Sequence, residues 1–512
     1  MVDTAPLYPA AQIRAAEEPL LGAQREPDEL MRAAAHAVAE QAARLLDGPG
    51  AVLLLAGSGG NGGDALYAGA ELAAEGRRVD ALLVGSGVHE RARDALLAAG
   101  GRVLDDAPEA GGYALAIDGI AGLGGRPALK EPAARAVAAV DAAGVPILAV
   151  DVPSGVAADT GEAGASKGGQ PGHVTAAATV TFGGLRRAHA LSAACGKVAL
   201  RDISLPCRAR GLAGELAAAA TGKEARLVRV VEGDRIALRG VDDLEPGEGD
   251  DKYSGGVVGV LAGSERYPGA GVLAAAGAVR ATPAMVRVVG GAAGRVLDRF
   301  PEAVWSPTLE ETGRVQAFVV GPGRGTGDEA RAELAALLER PEPLVADADA
   351  LTVLASSPEL LAAAAKRQAP LVITPHAGEF RRLADALDEE VPDPEADRIG
   401  AAETMATALG CVVLLKGART VVAGGGETTI IEAGHGWAAT PGSGDVLSGI
   451  LGAWAARPVI DGIDRDREPG RALHRAAVTA AAVHQRAAWL AATTPTRGVA
   501  TALDIAGFAG RG

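Results

Sequence analysis

The sequence predicts two α/β domains in tandem, each built on a parallel sheet. Its 512 residues exceed one ordinary domain, since about 150 residues per domain suggests two to three. Short apolar runs alternate with alanine-rich helical stretches throughout. That rhythm fades once, across residues 208–228 and the acidic, turn-rich EPGEGDD at 245–251, and then restarts. Strand, helix, strand at such spacing builds right-handed βαβ units and a sheet covered on both faces.

In the first half AVLLLAG (51–57), ALLVG (81–85), YALAID (113–118), PILAVDVPSG (146–155) and ATVTF (178–182) read as buried strands. LMRAAAHAVAEQAARLL (30–46), ALYAGAELAAEG (65–76) and HERARDALLAAG (89–100) read as helices. The second half opens with GVVGVLAGS (256–264) and continues with MVRVVG (285–290), VQAFVVGPG (315–323), PLVADADAL (343–351), PLVITPHAGEF (370–380), CVVLLKGA (411–418) and ETTIIEA (427–433). Long alanine-rich helices close it at 445–456 and 471–492. No repeat relates the halves. The expected division is residues 1–212, a linker at 213–224, and residues 225–512.

Composition narrows the function. The chain is 48% hydrophobic with only five Phe, five Tyr and four Trp, so its cores must be Ala, Val, Leu and Ile. A net charge of −15 and so few aromatics exclude nucleic-acid binding, which needs basic surface and stacking platforms, and argue against a membrane surface. No apolar run reaches the roughly 18 residues of a membrane helix. The start carries early acids and no apolar core of a signal peptide. Cys195, Cys207 and Cys411 are odd in number and at no metal spacing, which fits a reducing compartment. A soluble cytoplasmic protein is expected. The alanine-rich helices serve as subunit interfaces as readily as sheet cover, and a homo-oligomer is expected.

AGSGGNGGDAL (56–66) follows a strand and opens a helix. Its glycines let backbone N–H groups face outward, and the helix N-terminus adds positive partial charge, so the turn suits a phosphate. It lacks the Gly-Lys-Ser/Thr of a Walker A loop and is no clean GxGxxG; a tight turn alone explains it equally. Asp118 and Asp151 each close a strand and are followed by GIAGLGG and VPSG. Each Asp alone reads as a cap or turn residue. Carboxyl ends of strands in open sheets gather at one edge, however, and Asp64, Asp118 and Asp151 together point to a crevice there. Asn61, Asp118 and Ser154 offer oxygen ligands to a hard cation.

These motifs, with LYPAAQIRAAE (7–17) and LMRAAAHAVA (30–39) upstream, resemble in order the epimerase domain of the bifunctional NAD(P)H-hydrate repair enzymes, from about residue 7 to 207. The resemblance implies a Rossmann-like parallel-sheet domain. It implies that Gly60, Asn61, Gly62, Gly63 and Asp64, then Gly122, Leu123, Gly124, Gly125, Arg126 and Pro127, and Asp151 bind the hydrated dinucleotide. Asp151 would do acid/base work at the hydrate carbon, and Asn61, Asp118 and Ser154 would hold potassium. Two departures stand out: Gly60 replaces the usual first Asn, and Arg186 or Arg187 replaces a Lys after the TVTF strand.

In the second half TPGSGDVLSGIL (440–451) is a glycine-rich turn running into a helix. Gly442 to Gly444 would form an anion hole at a helix N-terminus with Asp445 projecting beside it, an arrangement that suits phosphoryl transfer. Asp445 also reads as a helix cap, and His376 as a core histidine or as a group at the ligand edge. GPGRG (321–325), DADAL (347–351) and TPHAGEF (374–380) all follow strands. Together with KYSGG (252–256), LAGSERYPGAGVLAA (261–275) and LLKGARTVVA (414–423) they resemble a ribokinase-like α/β domain, specifically the ADP-dependent dehydratase of the same family. The resemblance implies that Lys416, Gly417, Ala418, Arg419, Thr420 and Gly444 hold the adenine nucleotide with Mg2+, and that Ala270, Gly325, His376 and Asp445 hold the hydrate, with Asp445 as base. It also implies that ADP is split to AMP and phosphate. The substrates expected are NADH and NADPH hydrates and ADP. The competing reading is a small-molecule (vitamin-precursor) kinase fused to a non-catalytic nucleotide-binding domain.

Overall fold

The computed structural model describes residues 4–46, 48, 50–106, 108–238, 244–290 and 293–510. The ends of the expected domains, residues 1–3 and 511–512, lie outside the described residues. The chain divides into two compact units, Pro6–Glu224 and, from Ala225 onward, a second that also takes in Ala5.

In the first unit parallel strands stand in the order Arg102–Leu104, Val79–Leu83, Ala51–Ala56, Tyr113–Gly119, Ile147–Val150, Ala178–Phe182, Lys197–Arg201. Successive strands are added in one direction from Ala51–Ala56 and in the other from Tyr113–Gly119. The order therefore reverses between these two central strands, and such a reversal opens a crevice at their carboxyl ends. Both faces of the sheet are covered: Val52 and Leu54 enter one core, Leu53 and Leu55 the other. That two-sided burial is why the strand reads as an unbroken apolar run.

The second unit repeats the principle. Its strands run Val304–Ser306, Met285–Val289, Val257–Leu261, Ala317–Val320, Leu344–Ala346, Leu371–Ile373, Val412–Leu415, Arg419–Gly424, Glu427–Glu432, Ala225–Arg229. All neighbours are parallel except Arg419–Gly424, which is antiparallel to the strands on both sides. The reversal lies between Val257–Leu261 and Ala317–Val320. Helix Ser443–Ala456 is buried almost all round. It packs on helix Pro268–Ala281 at backbone contact: a Cβ on Gly449 would lie 1.9 Å from Ala274 O, and one on Gly277 2.2 Å from Val446 O. Small residues at the contact let the helices approach this closely, so the core needs few aromatics; Trp454 is an exception, fully buried.

Several elements depart from the sequence reading. Arg102–Leu104 and Lys197–Arg201 form the two edges of the first sheet, and their mixed exposure leaves no apolar run to read. Residues 213–224, expected as a linker, carry most of helix Leu212–Ala218, whose Leu212 and Leu216 are buried in the first unit's core. The strand Ala225–Arg229 lies in a stretch that reads as strandless, because arginines interrupt its apolar residues. Arg419–Gly424 is the outgoing arm of a tight hairpin with Glu427–Glu432, turned at Gly425 and Gly426. Among the described residues no helix is long and apolar enough to cross a membrane. Among the described residues Cys195, Cys207 and Cys411 form no disulfide.

Candidate active sites

At the reversal in the first unit a cavity of about 470 Å³ opens. Helix Gly60–Ala74 starts directly beyond strand Ala51–Ala56 and has no side-chain cap, which leaves its first N–H groups to face the cavity. Gly60, Asn61, Asp64, Gly122, Leu123, Gly124 and Asp151 line the wall, as the sequence predicts. Gly62, Gly63, Gly125, Arg126 and Pro127 do not. Gly62 is buried under the turn, where a Cβ would meet Gly57 O at 2.0 Å, and Gly63 packs against Met31. A Cβ on Gly60 would have nothing within 4 Å, so the Asn usual there has room and its absence is no steric necessity.

Asp151 follows strand Ile147–Val150 in the left-handed region, at φ 65°, which a non-glycine residue adopts only when its surroundings hold it. They do. Arg186 Nη2 lies 2.8 Å from Asp151 Oδ1, Thr181 Oγ1 donates to the same oxygen at 2.9 Å, and His189 Nε2 lies 2.7 Å from Asp151 O. Arg186, fully buried, takes the place of the expected Lys; Arg187 does not. Its backbone is fixed by the pairing of Leu7 and Tyr8 with Leu185 and Arg186. Asp64, half-buried, has no such cation. Burial first, then the nearby Asp151 and Glu17, hold its carboxyl well above the usual carboxylate range. Glu17 is raised too, by burial against the pull of Arg186. Arg14 and Glu17, on helix Ala10–Leu21, complete the wall. Sequence reasoning gave them no role, although their spacing of three places them on one helix face.

Asp118 and Ser154 lie buried behind this wall. Asp118 accepts from Ser154 N at 2.8 Å, Ser154 Oγ at 2.7 Å and Ile120 N at 3.2 Å. All three donors are neutral, and burial pushes the carboxyl up to about 6. Ser154 Oγ lies 3.2 Å from Ala121 O, so several hard oxygens cluster around a buried acid that has no cationic partner. Asn61 Nδ2 donates to Val150 O at 2.6 Å, and its amide lies against Gly122, where a Cβ would come within 2.4 Å of it. This donor set fits a hard monovalent cation.

In the second unit, the carboxyl ends of strands Leu344–Ala346, Leu371–Ile373 and Val412–Leu415 bring Asp347, His376 and Lys416 to one edge. Lys416 Nζ donates to Asp347 Oδ1 at 2.7 Å and lies 3.9 Å from Glu379 Oε2. Ser448 Oγ donates to Asp347 Oδ2 at 2.6 Å. Burial opposes the charge on Asp347, yet Lys416 together with hydrogen bonding from Ser448 and Thr374 outweighs it and keeps the carboxyl below its ordinary value. Helix Ser443–Ala456 aims its first turn here behind Gly442, at φ 80°, and Lys416 Nζ would lie 3.7 Å from a Cβ on Gly444. Asp445 behaves in the opposite way to Asp347: burial first, then Asp347, push it up to about 6 against the pull of Lys416. Gly325 N donates to Asp349 Oδ2 at 2.7 Å, and Ala270 packs beside Gly323. His376 N-caps helix Ala377–Asp385 and reaches Glu379, so it stands at the ligand edge and not in the core. His484 contacts Ser443 Oγ at 2.8 Å and Ser443 O at 3.0 Å, and burial drops it to about 4, so a neutral imidazole fixes the turn before Asp445.

The segment Lys416–Thr420 is held from behind by a residue the sequence does not single out. Arg398 donates to Leu415 O at 3.2 Å, Lys416 O at 2.6 Å and Arg419 O at 2.8 Å, and packs on Gly417. Burial lowers its pKa to about 10. Thr420 Oγ1 closes the loop onto Gly417 O at 3.1 Å, whereas the Arg419 side chain turns toward Glu432.

A family model described as NAD(P)H-hydrate dehydratase matches residues 258–507, and one described as YjeF-related protein N-terminus matches residues 27–188. The chain is 45% identical over 544 residues to the bifunctional NAD(P)H-hydrate repair enzyme Nnr of Corynebacterium glutamicum, covering 96% of this chain and 95% of that one. It is 44% identical over 458 residues to the enzyme of the same name from Mycobacterium tuberculosis, covering 88% and 89%. Among solved structures, the ADP/ATP-dependent NAD(P)H-hydrate dehydratase from Bacillus subtilis, co-crystallised with ATP and magnesium, matches at 25% identity and a TM-score of 0.43, covering 52% of this chain and 92% of that one.

Replacing Arg398 by Met strands three carbonyl oxygens. Arg398→Met should cost about 3 kcal/mol of stability and weaken ADP binding about tenfold, read by thermal melting and by calorimetric titration with ADP.

Proposed function

The chain belongs to the bifunctional NAD(P)H-hydrate repair enzymes, and on that premise we propose how its two sites divide the repair. The first interconverts the R and S hydrates. The second dehydrates the S form at the expense of ADP. The observation that carries this is Asp445, a carboxylate with a pKa of about 6 placed at an uncapped helix N-terminus beside the Lys416–Asp347 pair.

A hydrated nicotinamide carries a hydroxyl on the ring carbon next to nitrogen, and hydroxide leaves poorly. Asp445 takes the proton of that hydroxyl as its oxygen attacks the β-phosphorus of ADP. The bond from the β-phosphorus to the bridging oxygen breaks, and AMP leaves with those electrons. The ring nitrogen then expels the new phosphate ester, and the neighbouring carbon gives its proton to the departing phosphate, restoring the double bond. Lys416 and the first-turn N–H groups hold the phosphates, and magnesium arriving with ADP neutralises them. Lys416 to Thr420 and Gly444 carry the nucleotide; Ala270, Gly325 and His376 frame the hydrate.

In the first site the neutral carboxyl of Asp64 gives a proton to the departing hydroxyl. Water then returns on the opposite face and yields its proton to the Arg186-paired Asp151. Asn61, Asp118 and Ser154 would hold potassium, which would supply a fixed positive charge to the substrate site. Three cysteines that form no disulfide among the described residues fit the cytoplasmic location we propose. Exposed Val304 and Trp305 on the edge strand Val304–Ser306 favour assembly of like chains through that edge.

A mixture of R and S NADH hydrate should be converted completely to NADH with ADP and magnesium, followed by absorbance; a stable phosphoester or no recovery would sink the reading. Asp445→Asn should lower this rate by about 10²- to 10⁴-fold. The same variant tests the charge. Because the folded pKa of Asp445 lies above its unfolded value, the folded protein binds the extra proton and loses stability as pH rises from about 4 to 6. Asp445→Asn should therefore raise Tm at pH 7 and not at pH 4.

Potassium should raise the Tm of the wild-type protein more than lithium does. Asp118→Asn should abolish that difference, measured by differential scanning fluorimetry without substrate.

A further inference from the structure

We propose that Arg14 binds the pyrophosphate of the hydrated dinucleotide, on its nicotinamide side, in the cavity of the first unit. The inference rests on the epimerase reading and deepens it. Two cations line the cavity, Arg14 and Arg186. Arg186 is committed: it pairs with Asp151 and donates to Phe182 O and Gly184 O. Arg14 makes no hydrogen bond or ion pair among the described residues, so its guanidinium is available to a ligand. Its Nη2 would lie 3.8 Å from a Cβ on Gly124, which places it over the turn Gly122–Gly124.

The surroundings select the ligand's chemistry. Three acids, Glu17, Asp64 and Asp151, share the wall, and an anionic substrate entering among them needs a cation that is not already hydrogen-bonded; Arg14 feels Glu17 through space but makes no contact-distance pair with it. The fork of a guanidinium suits a phosphate better than a single ammonium does. Arg14 and Glu17 lie three residues apart on one helix, about 4.5 Å along the axis. The charge therefore stands close to the acid cluster, separated by roughly the reach of one ribose and not by that of a whole dinucleotide. This favours the pyrophosphate over the 2′-phosphate of the adenosine half. The family model begins at residue 27, so this helix lies outside the matched segment.

The full-length chain without ADP, which leaves the second site idle, is assayed for conversion of R to S hydrate by chromatography. Arg14→Gln should raise KM about ten- to a hundredfold for NADH hydrate and NADPH hydrate alike, with a smaller fall in kcat. Arg14→Lys should give an intermediate KM and decides the matter if Arg14→Gln fails to fold. An unchanged KM in both variants overturns the proposal. A rise confined to NADPH hydrate overturns it too, because it assigns Arg14 to the 2′-phosphate. A wild-type chain that leaves the epimers unconverted removes the epimerase reading itself, and the proposal with it.

Discussion

A parallel sheet buried on both faces must send every strand out at the same edge, and where strand order reverses, two adjacent connections leave to opposite faces. Both units of this chain are organised around that constraint. In the first it opens the cavity between Gly60–Asp64 and Gly122–Gly124. In the second it aligns Asp347, His376 and Lys416 as consecutive strand ends. A non-glycine residue in the left-handed region follows a strand at each edge, Asp151 at φ 65° and Ala348 at φ 50°. The strain is tolerated because the sheet beneath is over-determined, and it turns the adjoining side chains toward the site.

The alanine and glycine richness that looks like low information in the sequence is what lets Asp445 reach its place. Helix Ser443–Ala456 lies against Pro268–Ala281 with Gly449 and Gly277 at the contact, and any Cβ there would collide with backbone oxygen. A larger residue at either position would push the helix, and with it the first turn that carries Gly444 and Asp445, away from Lys416. Packing density in the core thus sets the distance on which phosphate chemistry depends.

Much of this was legible in the residues. Continuous apolar runs flanked by glycine turns marked the central strands, because two-sided burial leaves no room for polar alternation. The strand-end acids Asp118 and Asp151 and the turns before Asp64 and Asp445 pointed to the sheet edges at which the structure gathers acids and cations. Hidden elements were those whose burial is partial: the edge strands, Ala225–Arg229 with its arginines, and helix Leu212–Ala218 in the presumptive linker. Residues that act by contact across sequence were hidden as well. Nothing near Arg398 says that it will find the carbonyls of 415, 416 and 419, and nothing in DADAL says that Asp347 will face Lys416 rather than solvent. Of the glycine-rich motif, the sequence could not separate Gly60, which faces the cavity, from Gly62, which holds the turn against Gly57.

Each site sets a carboxyl group paired with a cation at contact distance beside one that lacks such a partner. Asp347 and Asp445 are both desolvated at one sheet edge, yet Lys416 stands within hydrogen-bond distance of the first only, so the first is driven down and the second up. In the other unit Arg186 pairs with Asp151, and Asp64, beside it without a cation, is driven up. Burial alone would raise Asp64, Asp347 and Asp445. In the second unit a single well-placed cation breaks the symmetry, leaving Asp347 as a fixed charge and Asp445 poised to exchange a proton near pH 6. The same scaffold logic therefore serves two reactions: the sheet edge gathers the acids, and a cation paired at contact distance distinguishes one of them from its neighbour.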